Sequence, residues 1–305
     1  MTHFSIEHPT TRKYNTVTTI YDVNGNSTGS TSLSSVSFTV KEDIEMLEKE
    51  CQGDSMIDKV NFRKLTLDMW KRKEIELFVR ELPGRTRVVF LGTSEQFQKI
   101  QWALWARILQ AIGHPIGRIL FYGHTSERSF NSPGEQLGPE NVNGGYTNLC
   151  SQERIVIYRY EEATRVLLHE LLHTACFDKE KDVEELEANT EAWTEILLCA
   201  ILSKGKSDNF SNLWLKQCRW INAQCDYLEK TNTVNGPQDY AWRYINGKRD
   251  VLKRLGFLKN CNYKDTKTIF DEVKKRTGLG EVEDKYDFRG NKLKIQGSDT
   301  QRFVN

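Results

Sequence analysis

The feature that most constrains this 305-residue chain is the run His169-Glu170-Leu171-Leu172-His173. Apolar residues beside the histidines recur at helical spacing, which predicts an amphipathic helix: Val166, Leu167, Leu171 and Leu172. Positions four apart lie on one face of a helix, so both imidazoles can bind the same metal ion. The preceding residues 154–158 are rich in β-branched and aromatic side chains, which predicts a strand. We therefore expect a strand, a turn and a metal-binding helix at the centre of the chain.

Two histidines at this spacing, with a glutamate directly after the first, form the H-E-x-x-H pattern of zinc proteases. Catalytic zinc usually has three protein ligands and one open position. Lys179 occupies the position six residues after His173, where a later histidine ligand would stand. All other histidines precede the motif: His3, His8, His114 and His124. The third ligand is therefore expected to be a carboxylate.

Candidates for this ligand lie on the next predicted helix, residues 183–203. Glu187, Glu191 and Glu195 are four apart and share one face of it. Asp178, five residues after His173, is a further candidate. A row of solvated charges is the alternative explanation for the glutamates. The residues alone leave the choice open.

A resemblance to a known family narrows the choice of the third ligand. His169–His173 together with the segment 189–195, Asn-Thr-Glu-Ala-Trp-Thr-Glu, resembles the gluzincins, the thermolysin-like branch of the zincin metallopeptidases. In that family a ligand glutamate is followed four residues later by a second carboxylate. The resemblance implies one Zn²⁺ bound by His169, His173 and Glu191, with Glu195 holding a ligand histidine. Because 17 residues separate His173 from Glu191, slightly fewer than in the best-known members, Glu187 or Glu195 remains possible as the ligand.

The resemblance also implies an α+β fold, with a small mixed β-sheet, a backing helix, an active-site helix and a mainly helical C-terminal subdomain. From Arg85 onward, strand and helix patterns alternate in the order that this fold requires. Thr93 and Gln96 form a predicted capping box at the start of the backing helix. The predicted organisation is an N-terminal extension (1–82), a catalytic domain (83–258, divided into 83–176 and 177–258), and a C-terminal helix with a polar tail (259–305).

The N-terminal extension is the least determined part. Residues 14–23 and 32–40 favour strands around a turn at 24–26, which would form a hairpin or a mobile arm. Helices are predicted at residues 41–50 and 61–82, the second ending at Pro83-Gly84. A pro-segment, an extra subdomain and a docking arm all remain open. Three further helices are predicted at the C-terminal side: 209–229, 238–255 and 265–276.

The predicted function is zinc-dependent hydrolysis of peptide bonds, by an endopeptidase by default, with Glu170 as general base. The resemblance implies that the segment Gly144, Gly145, Tyr146 and Thr147 binds the substrate backbone as an added strand, although the glycines could simply form a turn. It also implies a downstream oxyanion donor. Tyr240 and Tyr244 are the candidates, since no histidine follows His173, and Arg243 is a further option; at least one of the tyrosines is expected to be a core residue. A zincin-fold binding or structural protein that no longer cuts is the alternative.

Composition bounds the partners. The net charge of +1 gives no indication of nucleic acid, and the longest apolar run, residues 196–202, is too short to span a membrane. The N-terminus has neither the basic nor the apolar region of a secretory signal. Seven cysteines without tight spacing predict free thiols in the cytoplasm or another reducing compartment. Four of them are predicted core residues: Cys176, Cys199, Cys218 and Cys225.

Overall fold

The fold was taken from a computed structural model. It describes residues 18–21, 27–30, 40–53, 56–82, 85–113, 116–129, 135–177, 183–231, 234, 236–258, 269 and 271. The strands in these ranges are β1 (Thr18–Tyr21), β2 (Ser27–Ser30), β3 (Glu76–Leu82), β4 (Thr86–Gly92), β5 (Arg118–Tyr122), β6 (Gly145–Thr147) and β7 (Arg154–Ile157). The helices are α1 (Val40–Glu50), α2 (Phe62–Lys71), α3 (Ser94–Lys99), α4 (Trp102–Ile112), α5 (Pro139–Val142), α6 (Ala163–Thr174), α7 (Val183–Leu202), α8 (Ser207–Lys230), a π-helix (Trp242–Asn246) and α9 (Gly247–Arg254).

The strands form one mixed sheet in the order β2-β1-β3-β4-β5-β7-β6. β4, β5 and β7 are parallel, whereas the pairings of β1 with β2 and β3, of β3 with β4, and of β6 with β7 are antiparallel. This arrangement confirms the predicted α+β class with a mixed sheet. Within the described residues, β6 ends the sheet on the side next to α6.

Helices cover both faces of the sheet. Side chains alternate along each strand, so Phe90 and Phe121 contribute to a core with α4, α6 and α7. Val89 and Leu120, one residue away in each strand, contribute instead to a second core with α1 and α2. The strands at the centre of the sheet are therefore buried on both faces.

The predicted helix over residues 61–82 is wrong in its second half. The helix α2 ends at Lys71, and residues 76–82 form β3, which pairs with β4 from Glu76↔Gly92 to Leu82↔Thr86. Because β3 is buried on both faces, its apolar residues are consecutive, and sequence periodicity does not separate such a strand from a buried helix. The predicted domain boundary at 82–83 falls inside this hairpin. Residues 40–82 are thus part of the same folded unit.

Other predicted elements agree more closely. The capping box of Thr93 and Gln96 is present, but the backing helix breaks at Ile100 into α3 and α4. β1 and β2 form an N-terminal hairpin, but β2 (Ser27–Ser30) precedes the strand predicted at 32–40. Residues 32–39 of that predicted strand lie outside the described residues, and Val40 begins α1. The helix predicted at 238–255 begins as a π-helix and continues as α9. Nearly all of the helix predicted at 265–276 also lies outside the described residues.

The fold brings the motif helix next to the end of the sheet. The chain leaves β7, turns at residues 158–162 and enters α6, which packs against β6 and β7. The helix α7 then packs along α6. Among the described residues, no helix combines the length and the apolar character needed to cross a membrane.

Candidate metal centre

The two histidines of the motif converge on one point. Both lie on α6 and are buried, and their Nε2 atoms are 3.0 Å apart. This separation follows from the helix itself, because residues four apart are stacked on one face. The motif helix was predicted correctly, and the face that carries both histidines is turned toward α7.

Glu187 of α7 completes a set of three donor atoms. Its Oε2 atom lies 3.4 Å from Nε2 of His169 and 3.7 Å from Nε2 of His173. Ligands bound tetrahedrally at the usual zinc distances lie about 3.3 Å from one another. Oε2 is buried and makes no well-formed hydrogen bond within the described part of the chain. The two histidines and Glu187 therefore fit a small metal ion in both donor type and spacing.

Glu191 contacts the opposite side of the His169 ring. Its Oε1 atom lies 3.2 Å from Nδ1 of His169, so the imidazole is held between two carboxylates one helical turn apart. The contacts thus differ from the predicted roles by one turn of α7. Glu187, not Glu191, lies with the Nε2 atoms, and Glu191, not Glu195, lies beside a histidine.

Two buried cations account for this register. Arg165 of α6 pairs with Glu191 and, at 3.1 Å, with Glu195. Lys248 of α9 reaches the same two carboxylates at 3.4 and 2.8 Å, and Gln217 of α8 donates to Glu195 at 2.7 Å. Glu191 and Glu195 are therefore committed to neutralising these cations, which leaves Glu187 for the imidazoles.

Sequence reasoning missed Arg165, Lys248 and Gln217. Only Arg165 left a signal, since it precedes His169 by four residues and so shares its helix face. Lys248 and Gln217 lie on separate helices, and nothing in their local sequence marks them as buried.

The pKa values follow from these contacts. Burial opposes charging of His169, but Glu187 and Glu191 raise its pKa to about 9. Burial likewise opposes ionisation of Glu187, yet the two imidazoles lower its pKa to about 2. For Glu191, Arg165 and Lys248 outweigh burial and hold the pKa well below the ordinary value. Burial raises the pKa of Glu170 to about 7.

Removal of one buried cation is expected to destabilise the fold. Arg165→Met leaves Glu191 and Glu195 facing one cation instead of two, and breaking such a buried set costs about 3 kcal/mol. Urea unfolding in the presence of a chelator measures this without a contribution from bound metal. Arg72→Met is the control, since Arg72 and Glu74 form an exposed pair, and we expect no measurable change. Equal effects of the two substitutions would contradict the role of the buried cluster.

Glu170 lies beneath the outermost strand. A Cβ atom built on Gly145 of β6 would lie 3.6 Å from Oε1 of Glu170, and 2.6 Å from both the carbonyl oxygen of Val156 and Cγ1 of Val166. A side chain at position 145 would therefore separate the strand from the helix. The absence of a side chain lets the backbone of β6 come close to the glutamate.

Within the described residues, no strand pairs with the outer edge of β6. The Tyr158 amide donates to the Gly144 carbonyl at 2.8 Å, and the pairing continues from Gly145↔Ile157 to Thr147↔Ile155. In an antiparallel ladder, hydrogen-bonded pairs alternate with pairs whose backbone groups point outward. The amide and carbonyl groups of Gly145 and Thr147 consequently point away from β7, into a cleft of about 560 Å³ that also contains His169, Glu170 and His173.

The four residues predicted to bind substrate do not act alike. The side chain of Tyr146 faces the second core, where its hydroxyl donates to Glu50 and accepts from Arg63 at 2.5 Å. Arg154 of β7 also pairs with Glu50, at 2.7 Å. Tyr146 thus anchors β6 to the α1 and α2 layer, whereas its neighbours present the backbone.

Tyr240 and Tyr244 both line the cleft. Their rings stack with centroids 5.7 Å apart. Tyr244 lies in the π-helix, a rare geometry that is common at functional sites. Burial, and then the charge of Glu187, raises the pKa of Tyr244 well above its usual value, so its hydroxyl stays protonated.

A disulfide closes one end of the site. Cys150, three residues after β6, is bonded to Cys176, just beyond α6. The prediction that all cysteines are free thiols is therefore wrong, as is the assignment of Cys176 to the core. The pair was not recognisable from the sequence, because the two cysteines are 26 residues apart and form no local spacing pattern. The cysteines therefore no longer support the predicted reducing compartment.

The remaining candidates lie elsewhere. The ring of His124 packs against Phe62 of α2, at a centroid distance of 4.3 Å, on the far side of the sheet. Asp178 lies outside the described residues. Comparisons of the chain with protein-family models, curated proteins and solved structures found no match.

Proposed function

We propose that this chain is a zinc-dependent peptidase of the zincin type, with one Zn²⁺ held by His169, His173 and Glu187. The observation that carries the proposal is the convergence of three buried donor atoms, 3.0 to 3.7 Å apart, beside a buried glutamate. The helix-backed mixed sheet, with α6 alongside its end strand, supports a zincin-like fold. The family resemblance of the motif supports the same assignment.

Each residue near the centre has a proposed task. A Zn²⁺ ion held by these three residues would supply Lewis acidity toward the attacking water and the substrate carbonyl. Glu170 takes a proton from that water and delivers it to the leaving amine. Glu191, whose Oε1 atom lies 3.2 Å from Nδ1 of His169, would hold the orientation and tautomer of that ring. Glu195 contributes indirectly, by holding Arg165 and Lys248 in place.

The substrate would bind as an added strand. The outward-facing backbone groups of Gly145 and Thr147 can pair with an extended peptide, which places a carbonyl of that peptide above Glu170. Tyr244, half-buried and protonated, is the better placed of the two tyrosines to donate a hydrogen bond to the oxyanion. Tyr240 stacks against it and supports its ring.

Metal removal tests the proposal directly. The purified protein is expected to contain one equivalent of zinc and to cut a mixed library of peptides whose cleavage is read by mass spectrometry. Dialysis against a chelator should abolish cutting, and added Zn²⁺ should restore it. Zinc binding without any cutting would instead favour a binding or structural protein. Cutting that survives complete zinc removal would overturn the assignment.

A further inference from the structure

Two exposed apolar side chains mark the ends of the β6 edge. Among the large apolar residues that the structure describes, few are exposed: Met56, Ile57, Val60, Leu65, Leu149 and Tyr227. Only Ile57, 37% exposed, and Leu149, 55% exposed, also line the cleft. They come from distant parts of the sequence, so their meeting at one cleft is a property of the fold.

The backbone at Ile57 is firmly held beside the start of β6. Its carbonyl accepts hydrogen bonds from the Tyr158 hydroxyl at 3.0 Å and from Nδ2 of Asn143 at 3.4 Å. The next residue, Asp58, is buried and accepts from the Phe62 amide at 2.9 Å, at the start of α2. Ile57 is therefore a fixed part of the cleft wall, although it belongs to the segment between α1 and α2.

Leu149 occupies the other end. It lies two residues after β6, and its neighbour Cys150 is anchored by an amide hydrogen bond to the His173 carbonyl at 3.0 Å and by the disulfide to Cys176. From Asn143, beside Ile57, to Leu149, in the turn after β6, the chain spans at most about 20 Å. Glu170 lies close to Gly145 of β6, between the two apolar ends, and both histidines line the same cleft.

We infer that Ile57 and Leu149 determine specificity, and that the cleft takes an internal stretch of about six residues of an extended polypeptide with an apolar side chain near each end. This inference rests on the proposed function and deepens it. A peptide paired with β6 would run past both residues, so recognition would occur on both sides of the cut. That arrangement favours an endopeptidase, because a free chain terminus need not lie at the centre.

Blocked decapeptides give the test. Each peptide is acetylated, amidated and fluorescently labelled, with one Leu moved through an Ala and Ser background, and each is assayed for kcat/KM. Native protein should prefer Leu at two positions on opposite sides of the cut, about four to six residues apart. Leu149→Ser should lower kcat/KM about tenfold for the peptide with Leu at one of these positions, and Ile57→Ser for the other. Neither substitution should affect peptides that carry Ser there.

Met56→Ser is the matched control, since Met56 is 85% exposed in the same loop as Ile57 but does not line the cleft. All three substitutions replace exposed side chains, so the fold should be unchanged. Cutting without preference, or an equal loss for every peptide, would overturn the inference while leaving the peptidase intact.

A binding assay separates the two proposals. Fluorescence anisotropy with the same peptides and Glu170→Gln protein measures recognition without cleavage. If peptides bind with the expected dependence on Ile57 and Leu149 but native protein cuts none of them, the specificity inference stands and the peptidase proposal fails. If no blocked peptide is bound or cut, the inference is overturned.

Discussion

Glu170→Gln is expected to lower kcat/KM for peptide cleavage by about 10³-fold while leaving the zinc content unchanged. The glutamate is buried, lies next to His169 in the sequence and approaches the backbone of β6. Gln has nearly the same shape but cannot accept the proton of the attacking water. The measurement combines initial rates on a cleaved library peptide with metal analysis of the same preparation.

Glu153→Gln is a suitable control, because its side chain is exposed, at 72%, on the loop before β7. It should behave as native protein in both assays. Equal cutting by the Glu170→Gln and native proteins would mean that the activity has another source. Loss of both cutting and zinc from Glu170→Gln would mean that this residue supports the metal and not the proton transfer.

Glu187→Gln is expected to weaken zinc binding more than Glu191→Gln does. A group that only holds a ligand in place typically contributes 10- to 100-fold to metal affinity, and Glu191 should fall in that range. Glu187 offers the third donor atom itself, so its loss should exceed that range. Competition with a chromogenic zinc chelator measures both, after circular dichroism has shown that each variant is folded.

Glu195→Gln completes the series, since Glu195 contacts Arg165, Lys248 and Gln217 but neither histidine. Its zinc affinity should change least, whereas its stability should fall because a buried cation loses a partner. If Glu191→Gln loses more zinc than Glu187→Gln, the ligand implied by the family resemblance is correct and the assignment from geometry is not.

The sequence predicted the motif helix because its information is local. His169, Glu170 and His173 need only an α-helix to share a face, and α6 supplies it. The third ligand, a carboxylate, could not be assigned in this way, because Glu187, Glu191 and Glu195 are each separated by about one helical turn. Sliding α7 by four residues, about 6 Å, along α6 would exchange their positions. Contacts with Arg165, Lys248 and Gln217 distinguish the registers, and Lys248 is 53 residues from Glu195.

The fold likewise has features that neighbouring residues predict and features that depend on residues distant in sequence. The capping box at Thr93 and the helix end at Gly113, with φ of 66°, were predictable from neighbouring residues. The strand β3 was mistaken for helix because burial on both faces removes its alternating pattern. The pairing of Cys150 with Cys176 likewise depends on β6 and the end of α6 meeting in space.

The carbonyl of His173 accepts hydrogen bonds from the amides of Cys150, at 3.0 Å, and Cys176, at 3.2 Å. One backbone oxygen of a proposed metal ligand is thus shared with the loop that follows the strand proposed to bind substrate. If this junction couples peptide binding to zinc binding, the coupling free energy is the same in both directions. We therefore expect peptide to tighten zinc binding, and zinc to tighten peptide binding, by the same factor.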